Sequence, residues 1–160
     1  MMIPEGVTVD INGNTITVKG PKGHVERTFS KLVSITKNEN EVEVAAKTKM
    51  LIGTWDSHVK NMFIGVTLGY SIQLKVIHAH FPMSIKVNGK KISIENFLGE
   101  KQPRKAKIAG DAKVEVKGQI VTLSGANKED VGNTYTSLKQ ATKIKMKDGR
   151  VFQDGLYKVQ

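Results

Sequence analysis

The sequence predicts an α+β protein built as two tandem duplicated domains, each an antiparallel β-sheet with one α-helix packed on a face. Three observations carry this reading. Alternating apolar and polar residues surround an Asn-Gly pair twice, in V-T-V-D-I-N-G-N-T-I-T-V at 7–18 and M-S-I-K-V-N-G-K-K-I-S-I at 83–94. A second pair of alternating runs follows each of them. Both halves then switch from a period of two to a helical period.

Each element has its own justification. Asn-Gly between alternating runs is a strong hairpin signal, and a type I′ turn centred on Asn12-Gly13 and on Asn88-Gly89 is expected. Superposing the two pairs aligns Val9 with Ile85, Ile11 with Val87, Ile16 with Ile92, Val18 with Ile94 and Gly23 with Gly99. Val33, Ile35, Val42 and Val44 make the second strand pair of the first half; Val114, Val116, Val121 and Leu123 make that of the second. Ile52, Trp55, Val59, Met62, Phe63 and Val66 then fall on one helical face. Val131, Tyr135, Leu138 and Ala141 do so more weakly, behind Asn127 as the expected N-cap. Tyr70–Ile77 reads as the last strand of the first unit, and Pro82 breaks the chain after it. The domains are therefore expected at 1–80 and 81–160.

Charge separates the two copies. Lys and Arg number 25 against 15 Asp and Glu, a net of +10. Residues 1–78 hold 9 cations and 7 anions, whereas residues 79–160 hold 16 and 8. Such an excess favours a polyanionic partner, and the second half is expected to hold it. An anionic membrane would call for a basic amphipathic helix, but the helix with the clean apolar stripe lies in the near-neutral half. No apolar run approaches the ~20 residues of a membrane helix. The start M-M-I-P-E-G-V has no signal-peptide pattern, and there are no cysteines. A soluble intracellular protein fits these features.

The sequence holds few residues arranged for catalysis or metal binding. His78 and His80 alternate at a strand end, but zinc would need two further close ligands, so two junction histidines are the simpler reading. His58 beside the apolar helical face reads as a packing residue, and His24 as a loop residue. Glu95, Glu100, Asp148 and Asp154 sit among lysines or glycines, where they cap turns or pair with cations rather than form a catalytic pair. G-P-K-G at 20–23 lacks the rest of a phosphate-loop pattern. No enzymatic activity, cofactor or metal is expected. Clustered cations after Phe97-Leu98-Gly99 and in the tail instead fit phosphate contact with a folded nucleic acid, because no row of aromatics offers base stacking.

Several long motifs in order give a resemblance. I-P-E-G-V (3–7), T-V-K-G-P-K-G (17–23), S-H-V-K-N-M-F-I-G-V-T-L-G-Y (57–70), A-H-F-P (79–82), N-F-L-G-E-K (96–101), Q-A-T-K (140–143) and R-V-F-Q-D-G-L-Y (150–157) span nearly the whole chain. With them the chain resembles the large-ribosomal-subunit protein six family (protein nine in eukaryotes), of the archaeal or eukaryotic type. A-A-K-T-K-M at 45–50 is shorter and less basic than in many such relatives, and Val159-Gln160 ends the chain without their further tail residues.

The resemblance implies a non-catalytic constituent of the large ribosomal subunit, in the cytoplasm, supporting translation. It implies binding to large-subunit rRNA near the sarcin–ricin loop and stalk base, beside neighbouring ribosomal proteins and close to docking translational GTPases. No membrane or small-molecule substrate is implied. Carried onto this sequence, the rRNA-binding candidates in the loop are Asn96, Lys101, Arg104, Lys105 and Lys107. Those in the tail are Lys143, Lys145, Lys147, Arg150, Gln153, Asp154 and Lys158, with Phe152, Asp154 and Gly155 shaping its course. The first domain is expected to act as scaffold, presenting a flatter surface to protein neighbours. A stand-alone RNA-binding module is the alternative.

Overall fold

The computed structural model describes residues 1–38 and 41–159. They form two compact units, Met1–Tyr70 with Ala126–Lys128, and Ser71–Gly125 with Glu129–Gln160. The same order of elements occurs twice, as expected of a duplicated α+β chain.

In the first unit, β1 (Thr8–Asn12), β2 (Thr15–Gly20) and β3 (Gly23–Thr28) form one antiparallel sheet. β4 (Val33–Asn38) and β5 (Glu41–Ala46) form a second. Helix α1 (Lys49–Thr67) buries Trp55, Val59, Met62, Phe63 and Val66 against Val9, Ile16, Val18, Val33, Ile35 and Val42. Phe29 meets Trp55 edge to face at 5.7 Å between ring centroids. The expected helical stripe is thus the inner face, except that Ile52 is only half-buried.

The second unit repeats the plan with β7 (Ser84–Asn88), β8 (Lys91–Glu95) and β9 (Arg104–Lys107) in one sheet. β10 (Lys113–Lys117) and β11 (Ile120–Gly125) precede α2 (Lys128–Ala141), and β12 (Gly155–Lys158) follows it. The core holds Ile92, Ile94, Phe97, Val121, Leu123, Val131 and Leu138. On α2 it is Thr134, not Tyr135, that lies fully buried. Its hydroxyl donates to Asp130 O and accepts the Ala109 N–H, so a polar side chain serves as core by having both roles filled.

Three features differ from the sequence reading. The hairpin turns are offset by one residue. Asn12 pairs with Thr15 and Asn88 with Lys91, so the central residues are Gly13-Asn14 and Gly89-Lys90. Only the glycine of each has positive φ, 59° in both. That is the type II′ pattern, and it lets Val9 and Ile11 pair with Val18 and Ile16, apolar on apolar. Second, each half gains a third strand, β3 or β9, so Arg104–Lys107 is an edge strand rather than a loop. Third, Tyr70–Ile77 (β6) does not end the first unit's sheet. It lies between β11 and β12, in the order β10-β11-β6-β12. Leu74 and Val76 supply the apolar alternation that this sheet buries.

Candidate nucleic-acid interface

The basic segment 96–107 is built on a tightly turned backbone. Asn96, Leu98 and Gly99 all have positive φ, at 58°, 52° and 76°. Asn tolerates this region and Gly is indifferent to it, but for Leu it costs roughly 1–2 kcal/mol. Phe97, 1% exposed, plugs into the core between them. The Asn96 amide donates to Pro82 O at 2.9 Å, and a Cβ on Gly99 would press on the Phe81 ring at 3.3 Å. A-H-F-P and N-F-L-G are therefore packed on one another.

Strand β9 then sorts the cations by parity. Ile94 pairs with Arg104, Ser93 with Lys105, Ile92 with Ala106 and Lys91 with Lys107. Alternation places Arg104 on the side of buried Ala106, and sends exposed Lys105 and Lys107 to the other. Backbone N–H groups of Lys107 and Ala109 donate to Ser137 Oγ and Thr134 Oγ1 of α2.

Arg104 is the hub. Its Nε and Nη2 donate to the two Glu100 carboxylate oxygens at 2.8 and 2.6 Å. Its Nη1 donates to Ala141 O at 2.9 Å and Lys143 O at 2.8 Å, and the guanidinium lies 4.3 Å over the Phe97 ring. A cation thus meets carbonyls at the C-terminus of α2, where the helix leaves them unpaired and partly negative. The Arg104 bonds, with the charge of Arg104 and then of Lys147, hold the Glu100 carboxyl below its usual value of 4.5 against partial desolvation. Glu95 is held low chiefly by a hydrogen bond from Lys86, helped by Ser84.

The tail has its own scaffold. Asp148 Oδ1 accepts the Arg150 N–H, and its carbonyl accepts those of Val151 and Phe152. Gln153 Nε2 reaches Arg150 O, and Gln153 O accepts the Tyr157 hydroxyl. Asp154, 2% exposed, accepts the Ala79 N–H at 2.9 Å and lies 3.6 Å from His80 Nδ1. His80 packs on Phe152 at 4.9 Å between ring centroids, and Lys147 Nζ lies over the Phe152 ring, 4.6 Å from its centroid. The cavity of about 430 Å³ beneath the tail is lined by Thr142, Ile144, Phe152 and Leu156, with Lys139 and Lys143 among its walls.

Of the sequence candidates, Asn96, Lys101, Lys105, Lys107, Lys143, Lys145, Lys147, Arg150, Gln153 and Lys158 are exposed. Arg104 joins the 100–104 segment to 141–143. Lys158 lies in β12 opposite Leu74, and among the described residues no hydrogen bond or ion pair links it to that cluster. Asp154 is buried with the chain around 79–80. Sequence reasoning leaves Ser137 and Thr134 unmarked, although hydroxyls at i and i+3 on a helix were the available signal. Among the described residues, no three His, Cys, Asp or Glu side chains gather as a metal site. No described helix is long and apolar enough to cross a membrane.

The family model described as ribosomal protein L6 matches residues 3–69 and again 81–155. The chain is 53% identical to large ribosomal subunit protein uL6 of Methanobrevibacter smithii, over 97% of this chain and 90% of that protein. It is 51% identical to the uL6 of Methanosarcina mazei, over 99% and 93%. The Haloquadratum walsbyi uL6 is 44% identical over 97% and 91%. A duplicated α+β chain with its cations ordered on the second copy, matched twice by one family model and along its length by archaeal relatives, belongs to the ribosomal protein L6 family, archaeal type.

Proposed function

We propose that this chain is a structural, non-catalytic constituent of the large ribosomal subunit that binds rRNA through its second unit. The observation that carries the ribosomal role is identity of 51–53% along nearly the full length of relatives named as large-subunit proteins. The rRNA reading rests on exposed cations. Lys101, Lys105, Lys143, Lys145 and Lys147 project from segments that Arg104 ties together, which suits the close phosphate spacing of folded RNA. Lys107, Arg150 and Lys158 extend the basic surface, and Asn96 and Gln153 offer neutral hydrogen bonds along it. Asp154 acts by holding the tail rather than by touching RNA. The near-neutral first unit serves as scaffold toward protein neighbours. Placement near the sarcin–ricin loop and stalk base, close to translational GTPases, follows from the family resemblance.

Co-sedimentation with ribosomal subunits across a salt series tests this. About one copy per large subunit, retained under a wash that strips loosely held proteins, is the expected result. A purely electrostatic complex weakens steeply with salt, so release into the free pool at modest salt would replace this reading with that of a free RNA-binding module.

A further inference from the structure

We propose that Arg104 and Glu100 are positioning residues. They form an internal clasp that fixes the basic strand and the basic tail as one surface before RNA arrives, and Arg104 itself makes no phosphate contact. The inference rests on the rRNA-binding reading above. Charge alone would nominate Arg104 as the best phosphate ligand of the segment, since its planar fork suits phosphate. The geometry assigns it otherwise. Four of its five N–H donors are committed inside the protein, two to one carboxylate and two to the carbonyls of Ala141 and Lys143. Its side chain is only 21% exposed, and one face of the guanidinium is covered by the Phe97 ring.

What the clasp holds has three parts. Glu100 lies directly after the left-handed Leu98-Gly99 turn, a conformation that persists for leucine only where its surroundings over-determine it. Ala141 and Lys143 end α2 and start the tail that carries Lys145 and Lys147. Lys101 and Lys105 each directly follow a clasp residue in sequence and are exposed to solvent. Without it, three segments bearing long, like-charged side chains would have to be ordered at the moment of binding, against their mutual repulsion. Ordering each long side chain costs affinity, and a preformed surface avoids that loss.

The carboxylate supplies a discriminating test. Removing an acidic side chain from an RNA-binding surface strengthens attraction to phosphate if only charge matters. If Glu100 is half of a clasp, the same change weakens binding. The full-length protein is titrated with deproteinised archaeal large-subunit rRNA over a salt series, for wild type, Glu100→Gln, Arg104→Lys, the double variant and Lys105→Ala. Expected are losses of roughly tenfold for both single clasp variants, the factor that ordering one or two long side chains costs. Their slopes of log affinity against log salt stay at the wild-type value, because no phosphate contact is lost. Lys105→Ala instead lowers the slope by just under one unit. The double variant is no worse than either single one, as for two halves of one interaction.

Glu100→Gln binding as tightly as wild type or more tightly overturns the clasp. So does a slope lowered in a charge-removing Arg104→Gln variant by about as much as in Lys105→Ala, or additive losses in the double variant. If wild type itself shows no salt-dependent affinity for rRNA, the functional reading fails instead. The clasp is then judged by hydrogen exchange at Arg104 Nε: protection in wild type that Glu100→Gln abolishes supports it, and absence of protection in wild type overturns it.

Discussion

Replacing Gly20 with alanine should destabilise the first unit, although β2 is a strand and glycine is a poor strand residue. A Cβ built there would stand 2.8 Å from Val66 O and 2.9 Å from Val66 Cβ and Cγ2. Carbon atoms prefer separations of about 3.5–4.0 Å, so the helix or the strand must give by over half an ångström. Neither is free to do so. Val66 is fully buried, and its carbonyl accepts the Lys22 N–H at 2.9 Å. Overpacking of this kind costs about 1–3 kcal/mol. Lower entropy of the unfolded chain returns about 0.4–1 kcal/mol, leaving a net loss of about 1–2 kcal/mol. For a unit of this size that lowers Tm by roughly 5–15 °C. The chain has a single tryptophan, Trp55, which is buried in this unit's core, so its fluorescence during urea or thermal unfolding reports the unit directly. Gly53→Ala is the internal reference. That glycine sits exposed within α1 with open space where a Cβ would go, and the change should stabilise by about 0.5–1 kcal/mol. Two glycine-to-alanine changes in one unit should therefore move the midpoint in opposite directions. A Gly20→Ala midpoint equal to or above wild type would refute the packing argument.

Two further outcomes are open to measurement. Asp154→Ala should expose the Ala79 amide to rapid hydrogen exchange and cost about 1–3 kcal/mol for the orphaned donor, whereas Asp154→Asn keeps an acceptor in place and should preserve protection; equal exchange in all three proteins would dismiss the bond. Glu95 and Glu100 are held below the ordinary carboxyl range in the folded protein. Their stabilising contribution is therefore complete above the unfolded value near 4.5 and fades as pH falls through the lower folded value. Unfolding midpoints of wild type should drop more steeply below that pH than those of a Glu95→Gln, Glu100→Gln double variant, and parallel curves would contradict it.

Much of the fold was legible because the information is local. Asn-Gly hairpins, the paired runs Val33/Ile35 and Val42/Val44, and the stripe from Trp55 to Val66 each declare themselves within a short window. What escaped depends on pairing. β3 and β9 carry only Val25 and Ala106 as buried apolar residues, so their alternation is too faint to read against the surrounding charge. The one-residue offset of the hairpins follows from which residues oppose one another, not from the turn dipeptide. Composition marks where the cations cluster, but not which of them turns inward. Whether Arg104 faces inward or outward is decided by its registry with Ile94, which no feature of Lys101–Lys107 reveals. Asp154 was read both as a tail-shaping and as an RNA-facing residue; its burial and its bond from the Ala79 N–H depend on the fold and leave no trace in the Q-D-G-L-Y wording.

The position of β6 has a consequence for the timing of synthesis. Its neighbours β11 and β12 both come later in the chain, so Tyr70–Ile77 leaves the ribosome with neither edge partnered. An unpaired strand with apolar Leu74 and Val76 on one face is a template for pairing with other chains. The nascent protein carries that hazard until the last residues of β12 are made. Ser71, Gln73 and Lys75 lie exposed on the opposite face, so only one side of the strand is polar. The sheet of the second repeat is thus completed by a strand encoded ahead of it, so a chain begun at the second repeat would leave β11 and β12 without the strand that joins them.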